Sequence, residues 1–175
     1  TRHVSRVEIE PDEDVAVLQY TGGTTGISKG VMLTHYNLRA NVEQVFEFMF
    51  KSIDYPKNPK ALSVLPMFHI FGLTCNVFQC FRVGSNQIIL PRFEIEEVLE
   101  TIKKEEPFQM AGVPTMYIAL NSHPKMKEYG VDKVSFYNSG GSAMPVEQLY
   151  FFEKQTGQNL YEGYGLSEAS PVTHF

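Results

Sequence analysis

Short apolar runs separated by longer stretches of helical spacing give this chain a repeating strand–helix pattern. Val15 to Tyr20, Ala61 to Leu65, Gln87 to Leu90, Phe108 to Ala111, Ser135 to Asn138 and Asn159 to Glu162 predict strands. Helices are predicted between them: His35 to Phe50 behind a Thr34 cap, and one starting near Gly72 that Gly84 can stop. Two more are Glu94 to Lys104, with Leu, Ile and Val on one face, and Pro145 to Gln155, ahead of Gly157. Lys51 to Lys60, with Pro56 and Pro59, reads as a plain surface connection. Strands alternating with single helices predict an α/β fold, a mostly parallel sheet with helices on both faces. Ligands gather at the carboxyl ends of such strands, so the loops that come after strands are where chemistry is sought.

Composition narrows the picture. A chain of 175 residues, 43% hydrophobic and 13% aromatic, fills one core and hardly two. Its 15 basic and 20 acidic residues leave a net charge of −5, and basic groups are dispersed or met by acids, as where Lys103-Lys104 runs into Glu105-Glu106. That pattern gives no nucleic-acid footprint. The longest apolar stretch, Ile70 to Phe81, contains Asn76 and Gln79 and falls short of the roughly 20 residues a spanning helix needs, so it predicts core rather than a transmembrane segment. Cys75 and Cys80, the only cysteines, have no His or Cys at metal-ligand spacing and read as buried free thiols, which suits a cytoplasmic location. The chain starts at Thr1 with no sign of a signal peptide and stops just after its densest cluster of unusual residues. A segment of a longer protein is expected.

Candidate chemistry starts after the first strand, in Thr21-Gly22-Gly23-Thr24-Thr25-Gly26-Ile27-Ser28-Lys29-Gly30. Glycines let backbone amides approach a ligand, threonines add hydroxyl donors and Lys29 adds positive charge, a surface suited to polyphosphate. It is not a Walker loop, because Ser28 stands where the second glycine belongs and Gly30 follows the lysine in place of Ser or Thr. Further segments at strand ends are Leu65-Pro66-Met67-Phe68-His69-Ile70-Phe71-Gly72, Gly112-Val113-Pro114-Thr115, and Ser139-Gly140-Gly141-Ser142-Ala143-Met144-Pro145. The last is Tyr161-Glu162-Gly163-Tyr164-Gly165-Leu166-Ser167-Glu168. Taken singly, His69 reads as a hydrogen-bonded core histidine, the Gly140-Gly141 pair as an ordinary turn and Glu168 as a solvated carboxylate.

Together, in this order and at these separations from Val15 to Phe175, these strings resemble the adenylate-forming, AMP-binding superfamily, and most of all long-chain fatty-acyl-CoA synthetases. The chain departs from the common pattern at Gly22, where serine is usual, at Ser28, where proline is usual, and at Ser167, where threonine is usual. The resemblance implies a subdomain of the acyl-CoA synthetase N-terminal domain: residues 1–175 as a partial adenylation domain, without the rest of that domain or the C-terminal one. It also implies ATP, Mg²⁺ and coenzyme A, with a small carboxylic acid as the partner substrate. The acid attacks the α-phosphorus of ATP to give acyl-AMP and pyrophosphate, then the coenzyme A thiol displaces AMP.

Carried over residue by residue, Thr21, Gly22, Gly23, Thr24, Thr25, Gly26 and Lys29 hold phosphates, and Gly140, Gly141 and Ser142 lie against the adenine and the acyl pocket. Tyr164 stacks on the base, Gly165 counts among the nucleotide-binding residues, Ser167 bonds the phosphate side, Glu168 ligates Mg²⁺ and His69 lies by the carboxylate, making His69 and Glu168 the catalytic candidates. The family's ribose-binding aspartate, hinge and C-terminal lysine have no counterpart here, so the isolated chain is expected to be inactive. An aryl- or amino-acid-activating enzyme, or a non-catalytic nucleotide-binding module, is the alternative. Peripheral membrane contact of the longer protein is left open, and exposed edges lead one to expect self-association of the chain.

Overall fold

The structure, a computed structural model, describes residues 7–22, 26 and 28–175. Its centre is a parallel sheet of β3 (Lys60–Ser63), β4 (Asn86–Ile89), β5 (Gln109–Gly112), β6 (Phe136–Ser139) and β7 (Leu160–Glu162), in the order β4-β3-β5-β6-β7. An antiparallel hairpin precedes it, β1 (Val15–Thr21) with β2 (Lys29–Thr34), and a smaller one comes after it, β8 (Tyr164–Gly165) with β9 (Val172–His174). The helices are α1 (His35–Val45), α2 (Gln79–Val83), α3 (Ile95–Glu105), α4 (Pro114–Ser122) and α5 (Val146–Thr156). Wider π-helical turns extend α1 through Phe46–Phe50 and lead into α2 through Gly72–Phe78.

Alternation along the strands separates two faces. Ile88, Leu62, Met110, Tyr137 and Leu160 stand in register as one row across all five strands. That row packs on Val98, Leu99 and Ile102 of α3, Tyr117 and Leu120 of α4, and Phe152 of α5. Tyr117, Tyr137 and Phe152 meet edge-on with ring centres 4.8 to 6.1 Å apart, an arrangement that suits the charge distribution of aromatic rings. The two buried tyrosine hydroxyls are satisfied: Tyr117 donates to Asn138 O at 2.7 Å and Tyr137 to Val131 O at 2.8 Å. The opposite face, with Gln109, Ala111, Phe136 and Asn138, meets Val45 and Phe50 of the extended α1 and Cys75 and Gln79 of the π-turn and α2.

Helix ends reflect the local chemistry. Thr34 Oγ1 accepts from Asn37 N, and the Asn37 side chain accepts from Thr34 N, a reciprocal box at the start of α1. Glycines 84 and 157 end α2 and α5 with positive φ.

Three expectations change. Val15–Thr21 does not join the parallel sheet; it pairs antiparallel with β2, which the strand pattern missed. The stretch from Gly22 to Ser28 is too short for a parallel crossover, which needs a dozen or more residues, so the chain can only turn back. α4 was also unforeseen, because its near-continuous apolar run Met116 to Leu120 hides the helical period. The Lys51–Lys60 connection is more than surface: Tyr55 packs between Phe50 and Phe108, with ring centres 6.2 and 5.0 Å away.

Gly72, at the start of the second π-turn, packs directly on the chain leaving β3. A Cβ there would stand 2.3 Å from Pro66 O, a backbone atom that cannot swing away. Gly72→Ala is expected to cost about 2–3 kcal/mol of stability in urea unfolding, the scale of an overpacked core. The thiols offer a second check. Burial pushes Cys75 up to about 12 and Cys80 up to about 11, from an ordinary value of 9.0. Because the thiolate is the reactive form, both should resist iodoacetamide at pH 8 in the folded chain and react once urea unfolds it; mass spectrometry reads the difference.

Candidate functional site

Three strands of the sheet release their chains at one edge, and the segments beyond them meet above it. After β3, the chain turns through Pro66 to His69, whose N–H bonds Pro66 O at 3.1 Å while its carbonyl accepts from Leu73 N at 2.9 Å. His69 therefore sits at the mouth of the π-turn, with an exposed ring. Its Nδ1 accepts the Phe71 N–H at 3.2 Å, which leaves Nε2 to carry the proton of the neutral imidazole. Next to it, Ile70 is buried against Leu33 of β2 and Leu38 of α1, so the hairpin β1–β2 is tied to the histidine segment through apolar contact.

After β6, Gly140 N bonds Gly112 O at 3.1 Å, and the Phe71 ring lies directly over Gly140. After β7, Gly163 N bonds Ser139 O at 2.8 Å, and Glu162 Oε1 accepts the Met144 N–H at 3.0 Å, fastening the Gly140–Met144 loop to the strand beside it. The chain then forms β8, a turn at Ser167–Ala169, and β9. Gly165 is required here: a Cβ would stand 2.5 Å from Pro171 O on the facing leg.

His69, Gly140, Gly141, Tyr164, Gly165 and Ser167 line one open cleft of about 620 Å³ including the solvent at its mouth. Ser142 lies outside it, in an adjoining groove with Pro66, Phe68 and Val113 that shares His69 and Gly141. Tyr164 leaves 65% of its surface exposed, a ring free to be covered by a planar ligand. Glu168 is exposed in the turn beside Ser167, and the backbone of β2 passes close to that turn. Thr21 and Lys29 face each other at the open end of β1–β2, where Ser28 Oγ donates to Thr21 O at 3.0 Å. Gly22 and Gly26 are exposed, Gly26 with φ 82°. Gly23, Thr24 and Thr25, together with Ile27, lie outside the described residues.

Sequence patterns missed other residues that shape the cleft. Phe71, Asn138 and Phe175 line it, and Glu162 braces its loop. Nothing in local spacing marks Asn138 or Phe175, because each reaches the cleft through the fold of distant segments. Glu162 lies within the Tyr161–Glu168 string, but an acidic residue at a strand end carries no distinctive signal.

Comparison with known proteins agrees with this arrangement. The family described as AMP-binding enzyme matches residues 2–175. The long-chain-fatty-acid–CoA ligase of Bacillus subtilis is 47% identical over 95% of this chain and 30% of its own length. A 4-coumarate–CoA ligase of Arabidopsis thaliana is 35% identical over 97% of the chain and 30% of its own length. The chain thus spans about 30% of the length of these curated relatives. Among solved structures, a long-chain-fatty-acid–CoA ligase from Archaeoglobus fulgidus superposes with a TM-score of 0.81 at 26% identity, covering 97% of this chain and 35% of that one. ATP-bound MatB from Rhodopseudomonas palustris superposes at 0.82 with 25% identity, covering 98% and 33%. With a family match along nearly its whole length and a cleft assembled from the segments that carry the family's strings, the chain belongs to the AMP-binding enzymes, in the adenylate-forming acyl-CoA ligase group.

Proposed function

We propose that this chain is the nucleotide- and carboxylate-binding portion of an ATP-dependent fatty-acid–CoA ligase. The observation that carries it is the convergence of His69, Gly140–Gly141, Tyr164 and Ser167, from three strand ends, on one cleft. An anion must approach a polyanion in such a reaction, so the protein's part is to position the reactants and neutralise charge. The exposed Tyr164 ring offers a stacking surface for adenine, and the Ser167 hydroxyl and the hairpin end at Thr21 and Lys29 offer donors to phosphate oxygens. The Nε2–H of His69 is free to donate to a carboxylate oxygen of the acid.

Among the described residues no group of three or more His, Cys, Asp or Glu converges to hold a metal. A single exposed carboxylate, Glu168, fits a hard cation that takes its other oxygens from phosphates and water. Bound there, Mg²⁺ would lower the charge that the incoming carboxylate meets.

In this reading the hydrocarbon of a fatty acid would have to widen a small, mainly apolar space behind the cleft. Asn138 and Phe175 line the cleft and also border that space beneath α2, whose other walls include Val45, Phe50, Cys75, Gln79, Gln109, Ala111 and Phe136. The similarity to 4-coumarate–CoA ligases keeps an aromatic acid as the second reading. Activity belongs to the full-length protein in this proposal, and the chain alone is expected to form no acyl-adenylate.

The test is pyrophosphate release by the full-length protein with Mg-ATP, coenzyme A and fatty, aromatic and amino acids. Release that grows with alkyl length supports the proposal, release with aromatic acids moves the substrate class, and none with any acid sinks the ligase reading. Glu168→Gln should lower kcat by about 100-fold and raise the Mg²⁺ needed for half activity. Ala111→Leu, which narrows the cavity, should lower kcat/KM for long acids by about tenfold relative to short ones.

A further inference from the structure

The hairpin that carries Tyr164, Ser167 and Glu168 is too small to hold itself. Its strands are two and three residues long, and even full-length isolated hairpins are marginal in water. Two buried side chains from other parts of the chain hold its returning leg. Asn41 of α1, 131 residues earlier, uses both ends of its amide on one residue: Nδ2 donates to Val172 O at 2.8 Å and Oδ1 accepts from Val172 N at 3.1 Å. It thus pairs with the backbone of β9 as a neighbouring strand would. Thr74, in the π-turn behind His69, donates from Oγ1 to Ser170 O at 2.9 Å. Asn41 is 3% exposed, Thr74 0% and Ser170 2%, so these residues are themselves largely screened from water.

The pairing is chemically specific. The amide nitrogen faces a carbonyl and the amide oxygen faces an N–H, so the orientation of Asn41 is fixed. Aspartate would turn an oxygen toward the Val172 carbonyl, and leucine would take the side-chain partner from both Val172 backbone groups. Both anchors act on the segment just past the Ser167–Ala169 turn, and neither lines the cleft itself.

We propose that Asn41 and Thr74 are positioning residues for the nucleotide and its metal ion: they set where Ser167 and Glu168 stand without touching either ligand. This rests on the ATP-dependent ligase reading of the cleft. Thr74 lies five residues beyond His69, so it links the hairpin to the segment placed beside the carboxylate. Asn41 links the same hairpin to α1, which continues directly from β2 of the phosphate hairpin.

The experiment is steady-state kinetics of the full-length protein, comparing Asn41→Asp, Asn41→Leu, Thr74→Val and Thr74→Ser with the wild type. KM for Mg-ATP, the Mg²⁺ concentration for half activity, KM for the acid and the thermal unfolding midpoint are measured for each. Displacing Glu168 by about 1 Å should cost on the order of 100-fold. Asn41→Asp and Thr74→Val are therefore expected to lower kcat/KM for Mg-ATP by about 10- to 100-fold and raise the Mg²⁺ requirement, while KM for the acid stays within about twofold. Thr74→Ser, which keeps the hydroxyl, should recover most of the loss that Thr74→Val causes. If the wild type turns over but these variants change Mg-ATP and acid kinetics equally, or lose activity only as they unfold, the positioning role is overturned and the ligase reading stands. A wild type that releases no pyrophosphate with any acid removes both.

Discussion

Parallel pairing in the central sheet is the constraint on which the site depends. The register sets Ser63 beside Ala111, Gly112 beside Ser139, and Ser139 beside Glu162, so β3, β5, β6 and β7 finish along one edge. Parallel direction then obliges each chain to leave at that edge, and His69, Val113, Gly140–Ser142 and Tyr164 all lie beyond such exits. An antiparallel sheet with the same loops would send alternate segments to opposite ends. The row from Ile88 to Leu160 and the helices packed on it keep the edge straight enough for these loops to gather around one cleft and the groove beside it.

Outside the sheet, geometry rests on side chains that replace missing secondary structure. The β1–β2 hairpin is joined to the His69 segment by the Leu33–Leu38–Ile70 cluster. The β8–β9 hairpin is joined to α1 and the π-turn by Asn41 and Thr74. α2 is fastened to α1 by Gln79, whose Nε2 donates to Val42 O at 2.8 Å. Each link is a side chain bonded or packed to an element distant in sequence, and together they hold the segments that surround the cleft. The π-helical winding at Gly72–Phe78 accompanies this, since it begins three residues after His69 and carries both Cys75 and Thr74. Such wide turns recur at functional sites because they redirect side chains within an otherwise continuous helix.

Much of this was legible in the sequence. Five of the six predicted strands form the parallel sheet, and the helices starting at His35 and Ile95 and ending at Gly84 and Gly157 lie where capping and periodicity put them. Those signals are local: a threonine cap, a glycine with positive φ, an apolar stripe. The failures have separate causes. Val15–Thr21 has a strand's composition, but its partner is chosen by the length of the loop after it, and α4 is so uniformly apolar that no face stands out.

By itself, the sequence marked which loops were the candidates for chemistry, because glycine, threonine, histidine, tyrosine and glutamate in those strings have few purely structural uses together. It also determined the α/β class, because strand and helix periods are properties of contiguous residues. Only the tertiary structure decided that His69, Gly140, Tyr164 and Ser167 share one cleft while Ser142 turns into the groove beside it. It alone revealed Asn41 as the partner of Val172 and Phe175 as a wall of the cleft. Those outcomes depend on contacts between residues far apart in the chain, and a contact across 131 positions leaves no periodic trace in the residues between them.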